Sequence, residues 1–221
     1  MEKNQKLIEN ARGLLALKKK KSFSLFRSSL YLFKLSWTRL ITIGIVGLIL
    51  FNFILFVLFK QISAVNLILE ITNKLNAIII PIFTVLITGY AIFQALANGN
   101  TLIRMISVKH VDTDNQKLEN LSKFGVYNLY FYGLSIFYLS LIILNYLLSV
   151  SLVMVNEDWS FSSFSATQNE IICSLAITIY LMVVLNFLIE IKSFIFNLFQ
   201  IFITNGVNEI TKYLEEKDSE K

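Results

Sequence analysis

The chain has 221 residues, 55% hydrophobic and only 16% charged; soluble domains run at about 45–50% apolar and about 25% charged, so an ordinary water-soluble globule is excluded. Its net charge of +5 is concentrated rather than spread: residues 1–40 carry ten of the twenty Lys and Arg, directly before a charge-free run, which is a topology signal and not a nucleic-acid surface. One proline, eight glycines and one cysteine leave out a many-turned β fold, an internal disulfide and a cysteine metal cluster, and Cys173 reads as an inert thiol in an apolar run.

Residues 1–36 form a basic amphipathic segment. Leu7, Ala11 and Leu14 recur at helical spacing, and Phe23, Phe26, Leu30, Phe33 and Trp37 recur at alternating steps of three and four. Such a pattern predicts a helix lying in the membrane interface, with Arg27 and Lys34 reaching headgroups. Lys18, Lys19, Lys20, Lys21, Arg27 and Trp37 are its candidate contacts with anionic lipid or an acidic partner. The basic region is too long for a cleavable signal peptide. No aromatic-and-basic RNA-binding motif is present, so nucleic acid is not an expected partner.

A first span is expected over residues 40–59, with Asn52 as its one amide. Residues 60–74 read as a connection with a brief surface helix on Ile62, Val65 and Leu69. The second span is placed at 77–97, which puts Pro81 in its first turn, where proline is tolerated. Thr84, Thr88, Ala91 and Ala95 form a small-residue seam suited to close helix packing. In the polar stretch 99–124, Asp112 or Asp114 is expected to cap a short helix through Leu118 and Leu121. His110 beside these acids lacks a second histidine and a calcium-loop glycine, so a solvated turn is read there and no metal site.

The third span is placed at 129–155. Tyr127, Tyr130, Phe131 and Tyr132 predict an aromatic belt at its inner end, and Ser135, Tyr138, Asn145 and Ser149 fall on one stripe. Residues 156–170 make an acidic loop whose Trp159, Phe161 and Phe164 are expected to dip into the outer interface.

The fourth span begins at 171–190 and then carries the most informative pattern in the chain. Asn186, Glu190, Ser193, Asn197, Gln200 and Thr204 follow at steps of three or four. At about 100° per residue they occupy one narrow stripe of an otherwise apolar helix. Residues 171–204 amount to about 51 Å of helix, against about 30 Å of hydrocarbon core, so the helix either projects into the cytosol or bends near Glu190. Asn205-Gly206 is a plausible stop, followed by an acidic tail over 205–221.

With both termini inside, the inner side holds the ten N-terminal cations, four more over residues 98–124 and four after the fourth span, while Lys60 and Lys74 alone lie outside. That asymmetry predicts cytosolic termini in a bacterial inner or plasma membrane. The expected fold is all-α and polytopic: four transmembrane helices, an N-terminal amphipathic interfacial helix, and a long fourth helix extending to the cytosolic side.

No zinc-protease, nucleophile-elbow or phosphate-loop motif occurs, so no enzyme and no cofactor is expected. Glu190 is the one acid within an apolar helix, and it requires a partner from another helix, another subunit or water. The leading functional expectation is a homo-oligomeric membrane scaffold or sensor for a cytosolic protein partner. The alternative is a channel lined by the stripe from Asn186 to Thr204, and a small transporter ranks third. Small four-span chains rich in Ile, Asn and Lys occur in bacterial accessory systems, anti-phage defence and toxin immunity among them; that likeness is one of type, with no motif behind it.

Overall fold

A computed structural model describes residues 2–33, 36–109 and 121–219. Seven α-helices lie within them: α1 (Glu2–Lys18), α2 (Ser22–Leu30), α3 (Trp37–Phe56), α4 (Ala64–Leu96), α5 (Gly99–Ser107), α6 (Lys123–Val153) and α7 (Ala166–Ser219). No strand occurs among the described residues, and α3, α4, α6 and α7 are long and apolar enough to cross a membrane. The fold is all-α and polytopic, as the hydrophobic runs predict. His110, Asp112, Asp114 and Leu118 lie outside the described residues.

The chain divides into two compact units. One comprises Leu35–Phe83 and Phe137–Ile191. Its apolar packing centres on Ile54, Leu67 and Ile177, with Leu58, Phe59, Ile62, Ile68 and Ile71 against them. That cluster explains a difference from expectation. Residues 64–76 are no surface connection: they are the first turns of α4, with Val65 and Thr72 buried on one face and Leu67 buried on the other. Pro81 therefore sits in mid-helix, where it withholds a hydrogen bond from the carbonyl of Ala77. Membrane helices absorb such an interruption better than soluble ones.

In the same unit the 156–170 loop is closed by one side chain. The amide of Asn169 accepts from the Phe161 N–H (3.1 Å) and donates to the carbonyls of Phe161, Phe164 and Ser165. Trp159 and Phe161 lie edge to face at 4.8 Å and are exposed. The start of α7 is a capping box: Gln168 N–H donates to Ser165 Oγ (3.3 Å), and Ser165 N–H to Gln168 Oε1 (3.0 Å). The helix thus begins five residues before the predicted 171. Replacing Ser165 with Ala is expected to cost about 1 kcal/mol; hydrogen exchange over 166–169 should quicken, and unchanged protection there would contradict the cap.

The other unit comprises Met1–Lys34, Thr84–Ile136 and Lys192–Lys221. Its core is aromatic. Phe93, Phe131 and Phe194 are almost wholly buried, with ring centroids 5.0 Å apart for Phe93–Phe131 and 5.3 Å for Phe131–Phe194. Tyr130 is buried too, 5.3 Å from Phe33. The predicted belt of Tyr127, Tyr130, Phe131 and Tyr132 is thus corrected in part: Tyr130 and Phe131 are buried and pack edge to face with each other, Tyr127 lies edge to face with Phe93, and Tyr132 bonds α2 through its hydroxyl.

The N-terminal segment is corrected likewise. The run from Phe23 to Trp37 is not one helix: α2 ends at Leu30, Phe33 turns into the core, and α3 starts at Trp37. Phe23 and Trp37 remain exposed. Asn10, which is buried, donates from its amide to the Ile106 carbonyl (2.8 Å), fixing α1 to α5. Ser22 and Tyr132 share a hydroxyl–hydroxyl bond (2.5 Å), fixing α2 to α6. At their contact, Gly133 lies directly beneath Ser29.

Two further expectations change. The seam of Thr84, Thr88, Ala91 and Ala95 lies on the exposed face of α4, whereas Leu86, Gly89, Phe93 and Ala97 are the buried ones. Leu86 and Phe93 supply the bulk of the intrachain contact, with Gly89 admitting the Phe194 ring, and the Thr84–Ala95 seam is left outward. The Asn205-Gly206 stop is overridden: α7 continues to Ser219. Thr101 of α5 donates to Asn205 Oδ1 (2.9 Å), and buried Asn208 donates back to Thr101 Oγ1 (3.0 Å). These bonds hold the helix through a position that glycine alone would leave weak.

Candidate functional site

The polar stripe of α7 is where sequence and structure meet most closely. Phe187, Glu190, Phe194, Ile201 and Asn208 are its buried residues near and beyond Asn186. Asn186, Ser193, Asn197, Gln200 and Thr204 are half-buried, and Lys192, Phe196 and Phe199 are exposed. The stripe therefore borders the packed face, and Glu190 belongs to both.

Glu190 is paired. Arg39, in the first turn of α3, donates from one guanidinium nitrogen to its carboxylate and from the other to the Asn186 carbonyl. The pair is enclosed, with the Glu190 side chain only 6% exposed and that of Arg39 16%. One step along, Tyr138 of α6 donates to the Phe187 carbonyl (2.9 Å). Two spans, α3 and α6, thus converge on one turn of α7. Two further polar atoms, Arg39 Nε and Asn186 Oδ1, are buried with no hydrogen-bond partner. With one nitrogen on the Glu190 carboxylate and the other on the Asn186 carbonyl, the planar guanidinium makes a charge-assisted, geometrically specific contact with one turn of α7. The guanidinium supplies the counter-charge that an enclosed carboxylate requires.

Of the three partners open to Glu190 in the sequence, another helix, another subunit or water, the structure supplies the first, and the residue is Arg39. A signal was present. In an up-and-down arrangement with both termini on one side, the start of the first span and the inner end of the fourth lie at the same depth. Arg39 had been counted only as a topology charge.

A second polar network joins α4, α6 and α7. Buried Asn145 of α6 accepts from the Tyr180 hydroxyl of α7 and donates to Asn76 Oδ1 of α4 (3.0 Å). Thr72 and Ser149 are 3.1 Å apart, and Ser149 donates to Asn73 Oδ1 (3.3 Å). The stripe on the third span identified Asn145 and Ser149; their partners went unseen because residues 60–74 were read as a connection and the second span as starting at 77. Asn145→Leu removes two interhelical bonds, each worth about 0.6 kcal/mol in a membrane protein. The expected loss is about 1 kcal/mol, read from unfolding in mixed micelles; no loss would mean that the network only orients.

The predicted contact residues Lys18, Lys19, Lys20, Lys21 and Arg27 are all exposed. None has an ion-pair partner among the described residues, and Lys20 reaches only Ser28 Oγ, at 3.5 Å. No group of three or more His, Cys, Asp or Glu able to hold a metal occurs among the described residues. A scan against family models finds no match, and comparisons with curated proteins and with solved structures find none either.

Proposed function

We propose that this chain is a non-enzymatic, homo-oligomeric membrane scaffold or sensor that holds a basic docking platform for an acidic cytosolic protein. The observation that carries this reading is the way α1 and α2 are anchored. Asn10, Ser22 and Ser29 fix them to α5 and α6 from one side, while Arg12, Lys18–Lys21 and Arg27 are exposed and join no ion pair among the described residues. An anchored cationic surface suits recognition of a negatively charged partner, and anionic lipid headgroups compete for the same charges. The cation asymmetry supports a reading with both termini on the cytosolic side of a bacterial inner or plasma membrane.

Self-association is supported by the outward face of α4. Thr84, Thr88, Ala91 and Ala95 continue the line of exposed Glu70 and Asn73. Polar and small side chains gain little from acyl tails and much from a neighbouring helix.

The test combines two variants. With Cys173→Ser as background, Ala91→Cys should give disulfide-linked oligomers in membranes, while Ile143→Cys, on an exposed face of α6, should not. Charge reversal of Lys18–Lys21 should abolish capture of an acidic partner without changing the oligomer. A monomer in membranes, or a terminal tag reached only from outside, overturns the proposal. The channel reading keeps one support, the half-exposed amides Asn197 and Gln200. Conductance in liposomes that is lost in Asn197→Leu and Gln200→Leu would establish it in place of the scaffold.

A further inference from the structure

A recess of about 360 Å³ opens between α5, the start of α6 and α7. That is within the range of ligand-binding pockets, about 300–1,000 Å³. Its polar lining consists of Arg104, Lys123, Tyr127, Gln200 and Thr204, and none of its described lining residues is acidic. Cations held together without a counter-charge repel each other unless an anion joins them.

The cations differ in how they are held. Arg104 donates to Asn208 Oδ1 (2.9 Å), and Asn208 is tied in turn to Thr101. One edge of the guanidinium is thereby fixed to α7, leaving its remaining donors for a ligand. Lys123 is exposed and has no side-chain partner among the described residues. It occupies the first turn of α6, where the helix dipole adds positive potential. The Tyr127 hydroxyl and the Gln200 amide supply neutral donors at the same recess. Beside them, Ile201, Ile203 and Val207 offer an apolar wall.

We propose that this recess binds a phosphate group carried on an apolar or compact body, with Arg104 as the forked donor and Lys123 as the mobile charge. Arginine suits phosphate because its donors match two oxygens at once, and lysine contributes a point charge. The absence of an acid among its described lining residues disfavours a zwitterionic headgroup, whose ammonium would find no partner among them. A net-anionic phosphate is therefore the expected ligand, either a phospholipid headgroup or a soluble phosphate.

The experiment is native mass spectrometry of the full chain in detergent, titrated separately with phosphatidylglycerol, phosphatidylcholine and sodium pyrophosphate. The wild type should retain one phosphatidylglycerol or one pyrophosphate per chain in preference to phosphatidylcholine. Lys123→Gln and Arg104→Gln should each weaken that adduct by roughly tenfold, the effect of one charge-assisted hydrogen bond. Exchanging Lys18–Lys21 for Gln should leave it unchanged. Lys123→Gln disturbs no side-chain contact among the described residues, so it reads binding even where Arg104→Gln loosens α5. Retention of lipid alone identifies a headgroup site, and pyrophosphate binding that displaces lipid identifies a soluble ligand. An adduct indifferent to both substitutions, equally sensitive to the lysine-run exchange, or no stronger for phosphatidylglycerol and pyrophosphate than for phosphatidylcholine overturns the assignment.

Discussion

Arg39→Ala or Glu190→Ala is expected to destabilise the protein by about 3–5 kcal/mol, because each leaves a buried charge without its counter-ion. The enclosure of both side chains makes this the largest single-residue effect foreseen. Deleting Arg39 also strips a donor from the Asn186 carbonyl. The double variant Arg39→Met/Glu190→Met should behave differently. With both charges removed and apolar volume retained, stability should return to near the wild-type value or exceed it, since desolvating an ion pair costs about as much as its attraction returns. Reversible unfolding in mixed micelles, arranged as a double-mutant cycle, measures the coupling. A loss in the double Met variant equal to the sum of the losses in the two single Met variants would show that the pair is not coupled. The folded double variant also separates architecture from function: a scaffold tolerates it, whereas a pathway using Glu190 does not.

The second large effect is steric. A Cβ on Gly133 would stand 2.0 Å from Ser29 Oγ and 2.3 Å from Ser29 Cβ. Those atoms sit next to the backbone of α2, so the helix itself must move. Gly133→Ala should therefore release α2 from α6, at a cost of about 1–3 kcal/mol or more, and expose the bond after Arg27 to trypsin. Ser29→Gly should restore protection, because it deletes both clashing atoms. Gly89→Ala meets the tip of the Phe194 ring at 2.3 Å, and Gly47→Ala meets the Met182 sulfur at 2.4 Å. The Phe194 ring is locked among aromatic neighbours, whereas methionine bends out of the way, so the cost should fall from Gly89 to Gly47. Gly44 has nothing within 4 Å. Gly44→Ala should be neutral or stabilising by up to about 1 kcal/mol. Protection of Arg27 unchanged in Gly133→Ala would show that α2 is held elsewhere.

Arg39 and Gly133 mark where reading the sequence stops. Both were visible, one as a cation before a span and the other as an unremarked glycine in a span. Their roles depend on partners 151 positions away for Arg39 and on another helix for Gly133. Periodicity within one helix indicates which residues share a face, as it did for the stripe from Asn186 to Thr204. It does not indicate which face a neighbour takes. On α4 two faces met ordinary packing criteria, one small and one bulky. The bulky face with Phe93 and Leu86 was the one buried within the chain, since large side chains offer more contact area.

Composition and the order of apolar runs determined, without coordinates, that the chain is all-helical and crosses a membrane four times. Lipid offers the backbone no hydrogen-bond partner, so a long apolar run has no alternative to the helix. Helix ends were different. Residues 64–76, the capping box at Ser165 and the passage of α7 through Gly206 were settled by contacts between distant segments. So were the pairing of Glu190 with Arg39 and the enclosure of the rings once read as a belt. Each of these depends on small energy differences between neighbours, and only the assembled structure brings those neighbours together.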